Sequence, residues 1–156
     1  MKKIIQLLKE NRQTIAFAES MTGGLLSYAI TKTPGASTVF MGSIVSYHKQ
    51  VKIDVLNVEK TTIDTHGIVS SEVAVEMAKQ ARKKMHATIG VGVTGDAGPS
   101  LQKGSTRRSA IYAICNDVTC DIHEIFFDKE SRYKAQKRTK DEIYKSLVLF
   151  VKENIV

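Results

Sequence analysis

The sequence predicts an α/β fold: one sheet covered by helices on two faces, mostly parallel with an antiparallel edge. Three observations predict it. Short apolar runs of strand length (14–18, 38–47 and 87–94) alternate with segments whose apolar residues recur at helical spacing. Two further strand-like runs, 109–115 and 119–127, are separated by an Asn116-Asp117 turn and so read as an antiparallel hairpin. The composition, 42% hydrophobic and 25% charged over 156 residues, is that of a globular chain long enough to bury a core, and a single domain over 1–156 is expected.

Each element follows in order. Ile4, Ile5, Leu7 and Leu8 make 2–11 a short amphipathic helix. The apolar run 14–18 is a strand that ends abruptly at Glu19-Ser20-Met21-Thr22-Gly23-Gly24. Leu25, Leu26, Ala29 and Ile30 then carry a helix, which Thr33-Pro34-Gly35 terminates. The β-rich segment 38–47 holds Gly42 as a bulge or close-approach point. A helix over 48–57 and a short element at 61–65 precede His66-Gly67, and Ser70 is placed to cap a helix over about 71–85. That helix carries Val73, Met77, Ala81 and Met85 on one stripe. The buried strand 87–94 exits into Gly95-Asp96-Ala97-Gly98-Pro99, and a helix over about 131–153 closes the chain with Ile143, Leu147 and Phe150 inward.

Several classes of function are excluded or disfavoured by composition. No stretch approaches the roughly 18 apolar residues that cross a bilayer, so no membrane partner is expected. The start MKKIIQLLKE reads as a helix of the mature protein, not a signal peptide. Cys115 and Cys120, with no His or Cys neighbours at ligand spacing, argue against a metal site. They are expected to be reduced thiols of a cytoplasmic protein. The net charge of +7 gathers at Lys103, Arg107 and Arg108 and over 129–145. A solvated surface accounts for much of it, and the absence of an RNA-binding aromatic motif makes nucleic acid an unexpected partner.

The chemistry centres on Ser20, which sits between a strand and a helix start. In an open α/β sheet ligands bind beyond the carboxyl ends of the strands. A helix N-terminus there offers N–H groups to a phosphate or an oxyanion, with Gly23 and Gly24 allowing close approach. A plain helix-capping role for Ser20 or Thr22 explains the same residues. A serine nucleophile also needs a base. His48, His66, His86 and His123 are each explained as surface or loop residues, whereas a lysine with a lowered pKa would serve. Tyr47 and Lys52 follow the second strand and fall at the same sheet edge as Ser20. The turn Gly95, Ala97 and Gly98 faces the same crevice. Neither turn matches GxGxxG or GxxxxGK-S/T, so no dinucleotide or Walker loop is read.

These segments together resemble a known family. Ala18-Glu19-Ser20-Met21-Thr22-Gly23-Gly24 is similar to the AES-C-TGG signature of the CinA C-terminal domain family. Pro34-Gly35-Ala36-Ser37, Phe40, Tyr47 and Lys52 of a Y-S-N-E-x-K segment, His66-Gly67-Ile68-Val69-Ser70 and Thr94-Gly95-Asp96-Ala97-Gly98-Pro99 follow in the family order, from about 14 to 112. The resemblance implies a three-layer α/β/α sandwich, a homodimer, and no metal or organic cofactor. It implies an amidohydrolase that converts nicotinamide mononucleotide to nicotinic acid mononucleotide and ammonia. The catalytic roles fall on Ser20, Lys52 and Tyr47, and substrate contacts on Thr22, Gly23, Gly24, Gly95, Ala97, Gly98 and Arg132. Many members carry a further N-terminal domain, which this chain is expected to lack.

The sequence also departs from the family pattern. After the A-G-P turn, 100–110 lacks the usual E-K-P-V-G-T-V stretch. His48, Lys49 and Gln50 stand where Ser, Asn and Glu are typical, Asp96 where isoleucine is usual, Met21 where cysteine is usual, and Glu130-Ser131 where Gly-Asp precedes the arginine. A second reading therefore stands beside the first: a catalytically degenerate relative that binds a nucleotide or a protein partner.

Overall fold

Every residue of the strand Ile15–Glu19 (β1) is buried, because it lies between two neighbours in the sheet. In this computed structural model, which describes residues 1–154, the sheet has five strands in the order β2-β1-β3-β4-β5. The others are Phe40–Val45 (β2), Ile89–Gly95 (β3), Ser109–Cys115 (β4) and Cys120–Phe126 (β5). β1 runs parallel to β2 and β3, while β4 is antiparallel to both β3 and β5. The sheet is therefore mixed, with one reversed strand inside an otherwise parallel set.

Alternation along β1 and β3 divides the core into two layers. Ile15 and Phe17, with Val91 and Val93, face the helices Lys2–Glu10 (α1), Leu25–Thr31 (α2) and Arg132–Glu153 (α6). Ala16 and Ala18 face the other side, where Lys60–His66 (α4) and Ser71–Lys84 (α5) supply Ile63, Val73 and Met77. The remaining helix, Lys49–Asp54 (α3), is a short one beyond the end of β2. Helices thus cover both faces, and the three-layer α/β/α sandwich is borne out.

Small residues set how closely α5 approaches the sheet. A Cβ at Gly92 would lie 2.3 Å from the Ala74 carbonyl oxygen and 2.5 Å from the Ala78 nitrogen. Only glycine lets backbone rest on backbone at that point. Ser70 caps α5 as expected, its Oγ accepting from the Val73 N–H at 3.3 Å. Gly42 marks a register shift in the β1–β2 ladder, as its position in the run implied. The strand around it is shorter than 38–47, because Ala36–Thr38 winds into a 3-10 turn first.

One expectation is overturned. Cys115 and Cys120 form a disulfide. The hairpin register pairs them directly, with Cα atoms 4.1 Å apart, a proximity across the turn that spacing along the chain does not convey. The thiol argument for a cytoplasmic protein falls with it. Among the described residues no helix is long and apolar enough to cross a membrane.

Candidate active site

Ser20 directly follows β1, and Lys52 lies in the last turn of α3, which begins just past β2. Because β1 and β2 are parallel neighbours, their exits lie side by side, and the Lys52 side chain reaches back across them. Its Nζ donates to Ser20 Oγ at 2.7 Å and to the Ser46 carbonyl at 2.5 Å. Lys52 is fully buried, with a relative exposure of 0%. No carboxylate among the described residues pairs with it. Removal from water without a counter-charge disfavours the ammonium form, and burial pushes its pKa down to about 8. A neutral amine beside a serine hydroxyl has the chemistry to take its proton.

The turn carrying Ser20 is fastened by Glu19, the last residue of β1. Its Oε2 accepts from Thr22 Oγ1 at 2.8 Å and from the Gly24 and Leu26 N–H groups at 3.0 Å each. Oε1 accepts from the Ser27 N–H at 2.9 Å and from Ser27 Oγ at 2.5 Å. A carboxylate at a helix N-terminus satisfies its free N–H groups and complements its dipole. The α2 terminus is thus occupied from within, and Gly24 has no N–H to offer a ligand. The Gly23 N–H is likewise committed, to the Ser20 carbonyl at 3.0 Å. Among the described residues the N–H groups of Met21 and Thr22 make no hydrogen bond, so the donors narrow to the two residues after Ser20. Gln136 of α6 holds this turn from the far side, its Nε2 donating to the Met21 carbonyl at 2.8 Å.

Tyr47 stands apart from the Ser20–Lys52 pair. It is 56% exposed, and its hydroxyl bonds to Arg132 Nη2 and to neither Ser20 nor Lys52. Arg132, the first residue of α6, also donates from Nη1 to the Gly98 carbonyl at 2.7 Å. No acidic side chain pairs with it among the described residues, which leaves its charge for an anion. Ser20, Tyr47, Gly98 and Arg132 line one cavity of about 230 Å³. A second, of about 250 Å³, shares Ser20, Tyr47 and Gly95 and opens on Lys52 and Thr94. Thr22, Gly23 and Gly24 instead line a separate depression beside Tyr28 and Tyr133.

The turn after β3 is held by groups that pattern reading did not single out. Arg108 donates from Nη2 to the carbonyls of Ala97 at 2.5 Å and Glu130 at 2.8 Å, and from Nη1 to Asp128 at 3.2 Å. This arginine, one of the basic group first read as surface charge, is an internal tie. Gly98 has φ +83°, and a Cβ there would lie 2.4 Å from Arg108 Nε. Asp96 is 3% exposed, and its Oδ1 accepts from the Gln102 N–H at 3.0 Å. The His66-Gly67-Ile68 segment serves the site at one remove: Thr94 Oγ1 donates to the Ile68 carbonyl at 2.7 Å. His48 caps α3 through Nδ1.

Comparison with known proteins places the chain in a family and a fold. The model of the CinA C-terminal domain matches residues 1–150. A CinA-like protein of Petrotoga mobilis is 38% identical over 153 residues, covering 98% of this chain and 36% of the relative. A CinA-like protein of Fervidobacterium nodosum is 42% identical over 112 residues, 72% of this chain and 27% of the relative. The chain therefore spans about a third or less of the curated relatives it matches. Among solved structures, the competence/damage inducible protein CihA from Agrobacterium tumefaciens superposes with a TM-score of 0.86 at 30% identity, covering 94% of this chain and 92% of that one. A CinA superfamily protein from Enterobacter cloacae gives 0.92 at 22% identity over 96% and 89%, a likeness of fold.

Proposed function

Because the chain belongs to the CinA C-terminal domain family, we propose that it is an amidohydrolase that deamidates nicotinamide mononucleotide, with Ser20 as nucleophile and Lys52 as its base. The observation that carries this reading is the buried, unpaired Lys52 Nζ at 2.7 Å from Ser20 Oγ. With a pKa of about 8, roughly a quarter of the enzyme has neutral Lys52 at pH 7.5, against about a thousandth for an ordinary lysine.

The neutral amine keeps a hydrogen bond to the Ser46 carbonyl, which turns its lone pair toward Ser20. Lys52 takes the Ser20 proton as Oγ bonds to the carboxamide carbon. The oxyanion that forms falls to the Met21 N–H, the uncommitted donor that also lines the Ser20 cavity. The ammonium of Lys52 then protonates the departing nitrogen, the C–N bond breaks, and ammonia leaves an acyl-serine. Water attacks the ester with Lys52 again as base, and nicotinic acid mononucleotide departs as Ser20 recovers its proton. Arg132 holds the 5′-phosphate, and Tyr47, bonded to that arginine, orders the phosphate end instead of the proton path.

Ammonia release from nicotinamide mononucleotide by the wild type and Ser20→Ala tests the reading. Release by the wild type that disappears in the variant supports it, and undiminished release by the variant refutes Ser20 as nucleophile. The separation of Tyr47 from Lys52 favours a second reading, nucleotide binding without turnover. Calorimetric binding with no ammonia release would select that one.

A further inference from the structure

We propose that Asp96 recognises a hydrogen-bond donor on the substrate, carried between the reacting carbonyl at Ser20 and the anionic group at Arg132. The proposal rests on the amidohydrolase reading and deepens it. β1 and β3 are parallel neighbours with Glu19 opposite Val93, so the turn holding Asp96 leaves the sheet beside the turn holding Ser20. Asp96 forms part of the wall of the cavity that Ser20 and Arg132 also line. Its backbone is fixed by its own N–H on the Ser109 carbonyl at 2.8 Å, and its Oδ1 by the Gln102 N–H at 3.0 Å. Oδ2 is buried and has no donor, and no cationic side chain pairs with the carboxylate among the described residues.

A carboxylate oxygen shut away from water without a donor is costly, and an apolar side chain would fill the same wall without that cost. Oδ1 is committed to the loop, which leaves Oδ2 for a ligand. An ionised carboxylate only accepts, so its partner is an O–H or N–H group. The same charge repels a phosphate, which places the anionic end of the substrate toward Arg132 and the donor between the two. On a mononucleotide amide two groups meet that description: a ribose hydroxyl and the carboxamide N–H.

The test compares kcat and KM of the wild type, Asp96→Asn and Asp96→Ile. The substrates are nicotinamide mononucleotide, its deoxyribosyl analogues and its N,N-dimethylcarboxamide, each followed by formation of the carboxylate product, and melting temperatures are measured alongside. Asp96→Asn keeps Oδ1 for Gln102 and replaces only the free acceptor. It is expected to raise KM about 10- to 100-fold with kcat little changed and the melting temperature equal or higher. Asp96→Ile, which leaves no polar group to bury, shows the same pattern should the asparagine variant fold poorly. The analogue lacking the recognised donor reacts equally with wild type and Asp96→Asn, which tells hydroxyl from amide. KM within twofold of wild type in a folded variant overturns this proposal alone. So does a loss confined to kcat. A wild type that releases no ammonia overturns the amidohydrolase reading and this proposal with it.

Discussion

Replacing Lys52 with methionine should alter stability in a way that depends on pH. The buried amine has a pKa of about 8, against 10.5 in the unfolded chain, a difference equivalent to about 3 kcal/mol. Below pH 8 both states hold the proton, and the folded protein carries the full cost of a buried ammonium. Between 8 and 10.5 the unfolded chain holds the proton and the folded one has released it, so stability rises with pH. Methionine has no such proton. The stability of the wild type minus that of Lys52→Met should therefore climb by about 2–3 kcal/mol from pH 7 to pH 10. Other titrating groups cancel in the difference, as does the fixed loss of the bonds to Ser46 and Ser20. Urea denaturation at each pH reads it, as a relative midpoint shift of about 1–2 M. A difference that stays flat across that range would mean that Lys52 titrates as an ordinary lysine, and the general-base argument would fail with it. In the same preparations, wild-type kcat should rise through pH 8.

Three further outcomes are expected. Glu19→Gln puts an amide where six donors converge, so stability should fall by about 2–4 kcal/mol, seen as a melting temperature lowered by about 5–10 °C; an unchanged melting point would show that the α2 terminus does not need the carboxylate. Gly92→Ala should cost about 3 kcal/mol or more, because the new methyl meets the α5 backbone and not a movable side chain; circular dichroism during thermal melting would reveal a tolerated substitution. Arg132→Ala should raise KM for the mononucleotide about 10- to 100-fold and leave the unphosphorylated riboside unaffected; equal losses on both would assign Arg132 to the loop rather than to the phosphate.

Much of the fold is legible in the sequence because it is written in short-range patterns. The apolar runs placed β1 and β3, and proline-glycine and serine punctuation placed the ends of α2 and the start of α5. The Ser20–Lys52 pair was legible as well, since both residues follow strands whose exits must converge. What escaped was contact between distant segments. Nothing local announces that Glu19 will turn under α2, that Arg108 will reach the carbonyls of Ala97 and Glu130, or that Tyr47 will bond to a residue 85 positions away. A charged residue ending a buried strand is the one signal that could have drawn attention to Glu19. The disulfide escaped because hairpin register depends on the turn, and the turn sets which cysteine faces which.

The stretch from Asp96 to Arg108 is anchored near both ends, while Leu101, Gln102, Lys103 and Gly104 between them are exposed. Ser20 and Lys52 lie on other elements and do not depend on that stretch for their spacing. On the proposed mechanism, the reacting pair and the groups that select the substrate therefore sit on separate parts of the fold. Exchanging the exposed portion between relatives should leave the Ser20–Lys52 distance unchanged, whatever it does to the Asp96 end of the cavity.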